Sequence, residues 1–220
     1  MPPRPSLLRT FKGPLVEGNP VTVQILGICS ALAVTTSLDT AVTMAVSLTV
    51  VLVLSAAVVS LIRRHIPNAI RLIVQIAIVA SMVIVIDQIL QAWFFEISLR
   101  LSVFVGLITT NCIVLGRTES FARQNPPLPA MIDALGNGLG YSAVLIVIGA
   151  IRELFGAGTL FGLTVLPLAE EGGWFTPLNL MRLAPSAFFL LAGLVWALRS
   201  VLPDQAEPPE TIPPDVPEGR

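Results

Sequence analysis

The sequence predicts an all-α polytopic membrane protein. Its six transmembrane helices are expected to form two inverted three-helix repeats, the first helix of each short and broken. Three observations carry this expectation. Apolar residues make up 54% of the chain and charged residues 12%, against about 25% charge in a soluble domain; mean hydropathy is +0.83. Long uncharged runs recur between short polar stretches. Two further apolar segments are too short and too interrupted for an ordinary crossing, lie about half a chain apart, and hold the only two cysteines. Short or glycine-interrupted segments at matching places in two halves point to an inverted repeat around a midplane site.

The elements follow in order. Residues 1–20 are proline-rich and basic and read as an irregular cytoplasmic arm, with no apolar run of the length a cleavable signal needs. The first repeat covers 21–100. It opens with the broken segment Val21–Ser37, which contains Gln24, Gly27 and Cys29. Thr40–Ile62 then carries no charge and is long enough to span. Arg63, Arg64, His65 and Pro67 make a turn, and a third span runs over about 69–95 with Asp87 near its end. Glu96, Ser98 and Arg100 form a short loop.

The second repeat, 101–200, opens with Leu101–Gly116, where threonine, asparagine and glycine interrupt the apolar run around Cys112. Arg117, Glu119, Arg123 and the QNPPLP stretch (124–129) read as a surface loop, with Glu119, like Asp39, a solvated loop end. A fifth span over about 130–155 has Asp133 at its head and ends at Arg152 and Glu153. Within it Gly136 and Gly140 are spaced for close helix approach. Residues 156–177 read as a long loop anchored by Trp174 and Phe175, and a sixth span over about 183–198 follows. The acidic, proline-rich tail 201–220 is expected to be disordered.

Orientation follows from charge. With six crossings both termini share one side. That side and its loops hold Arg4, Arg9, Lys12, Arg63, Arg64, Arg71, Arg117, Arg123, Arg199 and Arg220, against Arg100, Arg152 and Arg182 opposite. The positive-inside rule therefore puts both ends in the cytoplasm. Net charge is −1, which argues against a nucleic-acid partner.

At 1.5 Å per helical residue, Cys29 and Cys112 both fall about 13 Å from the cytoplasmic edge of a core about 30 Å thick. Irregular backbone at that depth must be buried in protein or line a cavity. Two readings stand side by side. Each cysteine is a small buried hydrophobe, or the pair holds iron or an iron–sulfur cluster, whose cation offsets the thiolate charge. Such a cluster takes about four thiolates, so a partner would bring the rest. Thr110 and Asn111, beside Cys112, could bond the sulfurs or satisfy freed carbonyls. Asp87 and Asp133 are the carboxylates nearest the membrane, and membrane acids often mark ion paths. An inverted-repeat carrier without a redox centre, and a purely structural membrane component, are the competing classes.

The stretches LGICSALAVTTSLDTA (26–41), IRRHIPNAIRLIVQ (62–75), SVFVGLITTNCIVLGR (102–117) and IDALGNGLGY (132–141) resemble the D subunits of the bacterial sodium-pumping NADH:quinone oxidoreductase. APSAFF (184–189) extends the likeness, which covers roughly residues 11–200. The corresponding component of the Rnf-type ferredoxin:NAD oxidoreductase shares TNCIV and the same plan. The resemblance implies an inner-membrane protein in which Cys29 and Cys112, with two cysteines of the homologous E-type subunit, ligate a [2Fe–2S] iron–sulfur cluster. It also implies that NAD, flavins and quinone are bound by other subunits, that sodium is pumped by the whole complex, and that Asp87 and Asp133 are candidates for the sodium path.

Overall fold

The structure, a computed structural model, describes residues 10–11, 13–15, 18–67, 70–93, 105–161, 163–164 and 179–201. The expected arm over 1–9, the 94–104 loop and segment start, the 165–178 loop with Trp174 and Phe175, and the tail after 201 lie outside the described residues. Among the described residues the regular structure is helical apart from one hairpin of two-residue strands, Thr159–Leu160 (β1) paired antiparallel with Leu163–Thr164 (β2).

The helices are α1 (Ile28–Val34), α2 (Leu38–Ile62), α3 (Arg71–Trp93), α4 (Val105–Thr109), α5 (Cys112–Arg117), α6 (Pro127–Ala157), α7 (Asn179–Arg182) and α8 (Ala184–Val201). Three of them, α2, α3 and α6, are long and apolar enough to cross a membrane, and α8 is a shorter apolar helix. At 1.5 Å per residue the 25 residues of α2 reach about 37 Å and the 31 of α6 about 46 Å. Both exceed the hydrocarbon core. Both interrupted segments are broken as expected: α1 is preceded by turns, and α4 and α5 are separated at Thr110 and Asn111.

Two expectations are corrected. QNPPLP is not all loop, because α6 begins at Pro127 and takes Pro127 and Pro129 into its first turn, where the missing N–H groups have no helical partner to lose. The stretch Thr118–Ala122 is a π-helical turn. Glu119 within it is no solvated loop end. It pairs with Arg71 Nε at 3.2 Å and Arg123 Nε at 3.6 Å, and Gln75 Nε2 donates to it at 2.6 Å.

The core is the antiparallel pair α2 and α6. Glu153 accepts from the N–H of Leu38 at 2.6 Å, Gly149 faces Ala41 and Gly138 faces Thr49, and Ser60 donates to the carbonyl of Asn125. One helix thus ascends as the other descends. Small residues let the backbones close: a Cβ on Gly138 would lie 2.7 Å from the Thr49 side chain. Gly136 and Gly140 do a different job from the one expected. They receive no long membrane helix but the N-terminal arm with its 3-10 turn Gly13–Leu15, since a Cβ there would meet the Phe11 carbonyl at 2.8 Å and the Pro14 carbonyl at 2.7 Å. Asn19 fastens the arm by donating to the Gly140 carbonyl.

Polarity is distributed as hydrocarbon surroundings require. Ser47, Ser55, Ser60, Gln75 and Asn137 are buried, while Val46, Val50, Leu54, Ile73, Ile84, Phe189 and Trp196 are exposed.

Arg152 ties the far end of this bundle. Placed by the sequence at the end of the fifth span, it is only 2% exposed. Nη1 donates to Thr35 Oγ1 at 2.7 Å and reaches the Leu32 carbonyl at 3.4 Å. Nε and Nη2 take the carbonyls of Met181, Arg182 and Leu183 at 3.2–3.4 Å. One guanidinium therefore satisfies the ends of α1 and α7 together. Each buried acceptor left unpaired costs about 1–3 kcal/mol. Arg152→Met is therefore expected to destabilise the detergent-solubilised protein by on the order of 3–5 kcal/mol in denaturant or thermal unfolding. A change under about 1 kcal/mol would contradict this role.

Candidate functional site

Both cysteines sit at the start of a short helix that the sequence forces to begin there. Before α1, Gly27 adopts φ 80°, a left-handed conformation that glycine takes without strain. A Cβ on it would come within 2.6 Å of Ile113 and 3.1 Å of the Tyr141 ring. Gly27 is thus the point where the first broken segment meets the second. Before α5, Asn111 is extended and its Oδ1 accepts from the N–H of Ile113 at 3.0 Å, an ordinary side-chain helix cap. Cys29 is then the second residue of α1 and Cys112 the first of α5.

The two breaks face each other. Gly27, Cys29, Ser30, Leu107, Thr110, Asn111 and Cys112 line one pocket of about 110 Å³, and both cysteines are free and exposed. Behind the thiols runs a buried polar chain. Ser30 Oγ donates to the Gly27 carbonyl at 2.9 Å, accepts from Asn111 Nδ2 at 2.9 Å, and lies 2.6 Å from the hydroxyl of Tyr141. Thr110 Oγ1 donates to the Gly106 carbonyl at 2.9 Å, so it satisfies a carbonyl of the broken helix. The structure therefore gathers Cys29, Cys112, Thr110 and Asn111 in one place.

The two acids lie outside that pocket. Asp133 is buried and bonded through both oxygens to Arg117 Nε and Nη2. Arg117 also stands 5.5 Å from the centre of the Phe121 ring. Asp133 lines a separate cavity of about 350 Å³ with Gln24, Arg117 and Asn137. Asp87 accepts from Gln91 Nε2 at 2.8 Å through Oδ2, and its buried Oδ1 has no hydrogen-bond partner among the described residues.

Among the described residues no three His, Cys, Asp or Glu side chains come together. The donor set at the cysteine pocket is two soft thiols open to the outside of the chain. That donor chemistry fits half of an iron–sulfur site.

Sequence reading missed Ser30 and Tyr141. The signal was present, for Tyr141 is the single tyrosine of the chain, set in an apolar run where a phenol needs a partner.

Comparison with known proteins agrees with this architecture. A family profile described as "Rnf-Nqr subunit, membrane protein" matches residues 7–195. A Serratia proteamaculans protein, named as the D subunit of a Na(+)-translocating NADH-quinone reductase, is 55% identical over 199 residues, covering 90% of this chain and 95% of its own length. The proteins of the same name from Photorhabdus laumondii and Psychromonas ingrahamii are 53% and 55% identical, again over 90% of this chain and over 95% and 94% of their own lengths.

Proposed function

The chain belongs to the Rnf-Nqr family of membrane subunits, and we propose that it is the D-type subunit of a sodium-translocating NADH:quinone reductase in a bacterial inner membrane. Cys29 and Cys112 supply two of the four thiolates of a [2Fe–2S] centre, and the homologous E-type subunit supplies the other two. The observation that carries this reading is the meeting of the only two cysteines in one pocket that opens outward. A pair buried as hydrophobes has no reason to converge and to face away from the core.

When bound, the cluster takes up and passes on one electron at a time, which thiols alone do not do. The chain's residues do the rest. Gly27 and Asn111 end the backbone turns so that each cysteine leaves from the first turn of a short helix and lines the shared pocket. Leu107 lines the pocket, and Ile113 and the Tyr141 ring pack against Gly27 behind it. In this reading NADH, flavins and quinone are bound by other subunits of the reductase, as the family resemblance implies.

The architecture that goes with this function is six crossings in two inverted three-helix repeats, with both termini cytoplasmic. The antiparallel run of α2 and α6, the middle helices of the two halves, supports it. So does the pairing of the two broken segments. A carrier without a redox centre would need free polar or charged groups at the break; here Ser30, Thr110 and Asn111 are spent on one another and on the backbone, and the thiols face the opening. For sodium, Asp87 keeps the freer carboxylate, whereas a cation at Asp133 would have to compete with Arg117.

In the assembled complex, Cys29→Ala and Cys112→Ala are each expected to remove the iron of this centre and to stop NADH-to-quinone turnover, with the double variant little worse than either. Iron per complex and turnover in both single variants decide it; wild-type values in either remove that cysteine from the site. Asp87→Asn is expected to raise, several-fold or more, the sodium concentration needed for half-maximal turnover, while iron content stays unchanged. An unaltered sodium dependence takes Asp87 off the path.

A further inference from the structure

We propose that Ser30 and Tyr141, acting with Asn111, are positioning residues that fix the relation of the two thiols and thereby tune the centre they hold. This rests on the reading of Cys29 and Cys112 as ligands.

A serine hydroxyl has one hydrogen to donate and two lone pairs to accept with. The hydrogen of Ser30 goes to the Gly27 carbonyl at 2.9 Å. One lone pair takes Asn111 Nδ2 at 2.9 Å. The remaining contact, 2.6 Å to Tyr141 Oη, must therefore have the phenol as donor. Every slot on Ser30 is filled, and the three partners come from three separate pieces of chain: the turn before α1, the break between α4 and α5, and the middle of α6.

Position along the chain gives this hub its effect. Ser30 follows Cys29 directly and Asn111 precedes Cys112 directly, so a single 2.9 Å bond joins the neighbours of the two thiols. Ser30 and Asn111 also form part of the wall of the pocket that the thiols share. Asn111 uses its other atom, Oδ1, to cap α5, which leaves its amide orientation no freedom. Tyr141 is 0% exposed, Ser30 2% and Asn111 4%; with no water to substitute, a lost bond stays lost. Gly27 completes the arrangement, since any side chain there would push the Tyr141 ring away. Groups just outside a set of ligands orient them and shift their electronics without touching the metal.

The test uses the assembled complex, with three readouts: iron per complex, the EPR lines of the reduced centre, and its midpoint potential. Ser30→Ala deletes the hub and Tyr141→Phe deletes one oxygen. Both are expected to keep the iron but to displace the EPR lines and the potential, Tyr141→Phe in the same direction and by less. Ser30→Thr, which keeps the hydroxyl, is expected to return both toward wild type. Iron lost in Ser30→Ala and regained in Ser30→Thr supports the inference in stronger form. Wild-type lines and potential in both Ser30→Ala and Tyr141→Phe overturn it. If Ser30→Ala does not assemble, Tyr141→Phe alone decides by the same criterion. Cys112→Ala is measured beside them. Iron retained there sinks the ligand reading itself; iron lost there, with unchanged spectra in the other two, sinks only the positioning role.

Discussion

A backbone that breaks inside a membrane must find its hydrogen bonds within the protein, and the rest of this structure follows from how that demand is met. At α1 the last carbonyls are claimed by side chains: Ala31 by Thr35, Leu32 by Arg152 and Val34 by Thr40. At the second break Thr110 takes the Gly106 carbonyl and Asn111 the Ile113 N–H. These bonds let two segments stop short of a full helix. Stopping short is what lets both cysteines reach one pocket.

The supporting helices serve the same end. The pair α2 and α6 packs closely through glycine and serine and carries Tyr141 and Arg152 to the first broken segment. Tyr141 reaches the start of α1 and Arg152 its end, so α6 grips the short helix at both tips. Glu153 fixes the N–H of Leu38, where α2 begins. A helix of seven residues has little stability of its own, and α1 holds its place through Tyr141 and Arg152 of α6 and by packing on α2 and α8.

Much of this was legible in the sequence because membrane helices announce themselves by length and lack of charge. The long spans appear within two or three residues of their expected bounds, and both broken segments break where polar residues and glycine interrupt them. What misled was charge read as exposure. Glu119 looks like a loop end from its place after an apolar run, yet its partners come from chain far away; Arg152 and Glu153, at the end of a span, also bond distant chain that their place in the sequence does not announce. The pairing of Gly136 and Gly140 with the N-terminal arm was equally out of reach, because small-residue spacing specifies close approach but not what approaches. Of the site, the cysteines and Asn111 could be picked out from the sequence, while Ser30 could not. A serine beside a cysteine has no distinguishing pattern until the fold brings a tyrosine to it.

Two thiols exposed on this chain are, in the proposed complex, closed over by a shared metal centre. Alkylation of the intact complex with a small membrane-permeant maleimide, read residue by residue by mass spectrometry, tests this directly. Cys29 and Cys112 are expected to resist labelling while iron is in place and to become reactive together once it is stripped. Rapid labelling of either cysteine in complex that retains its full iron would contradict it.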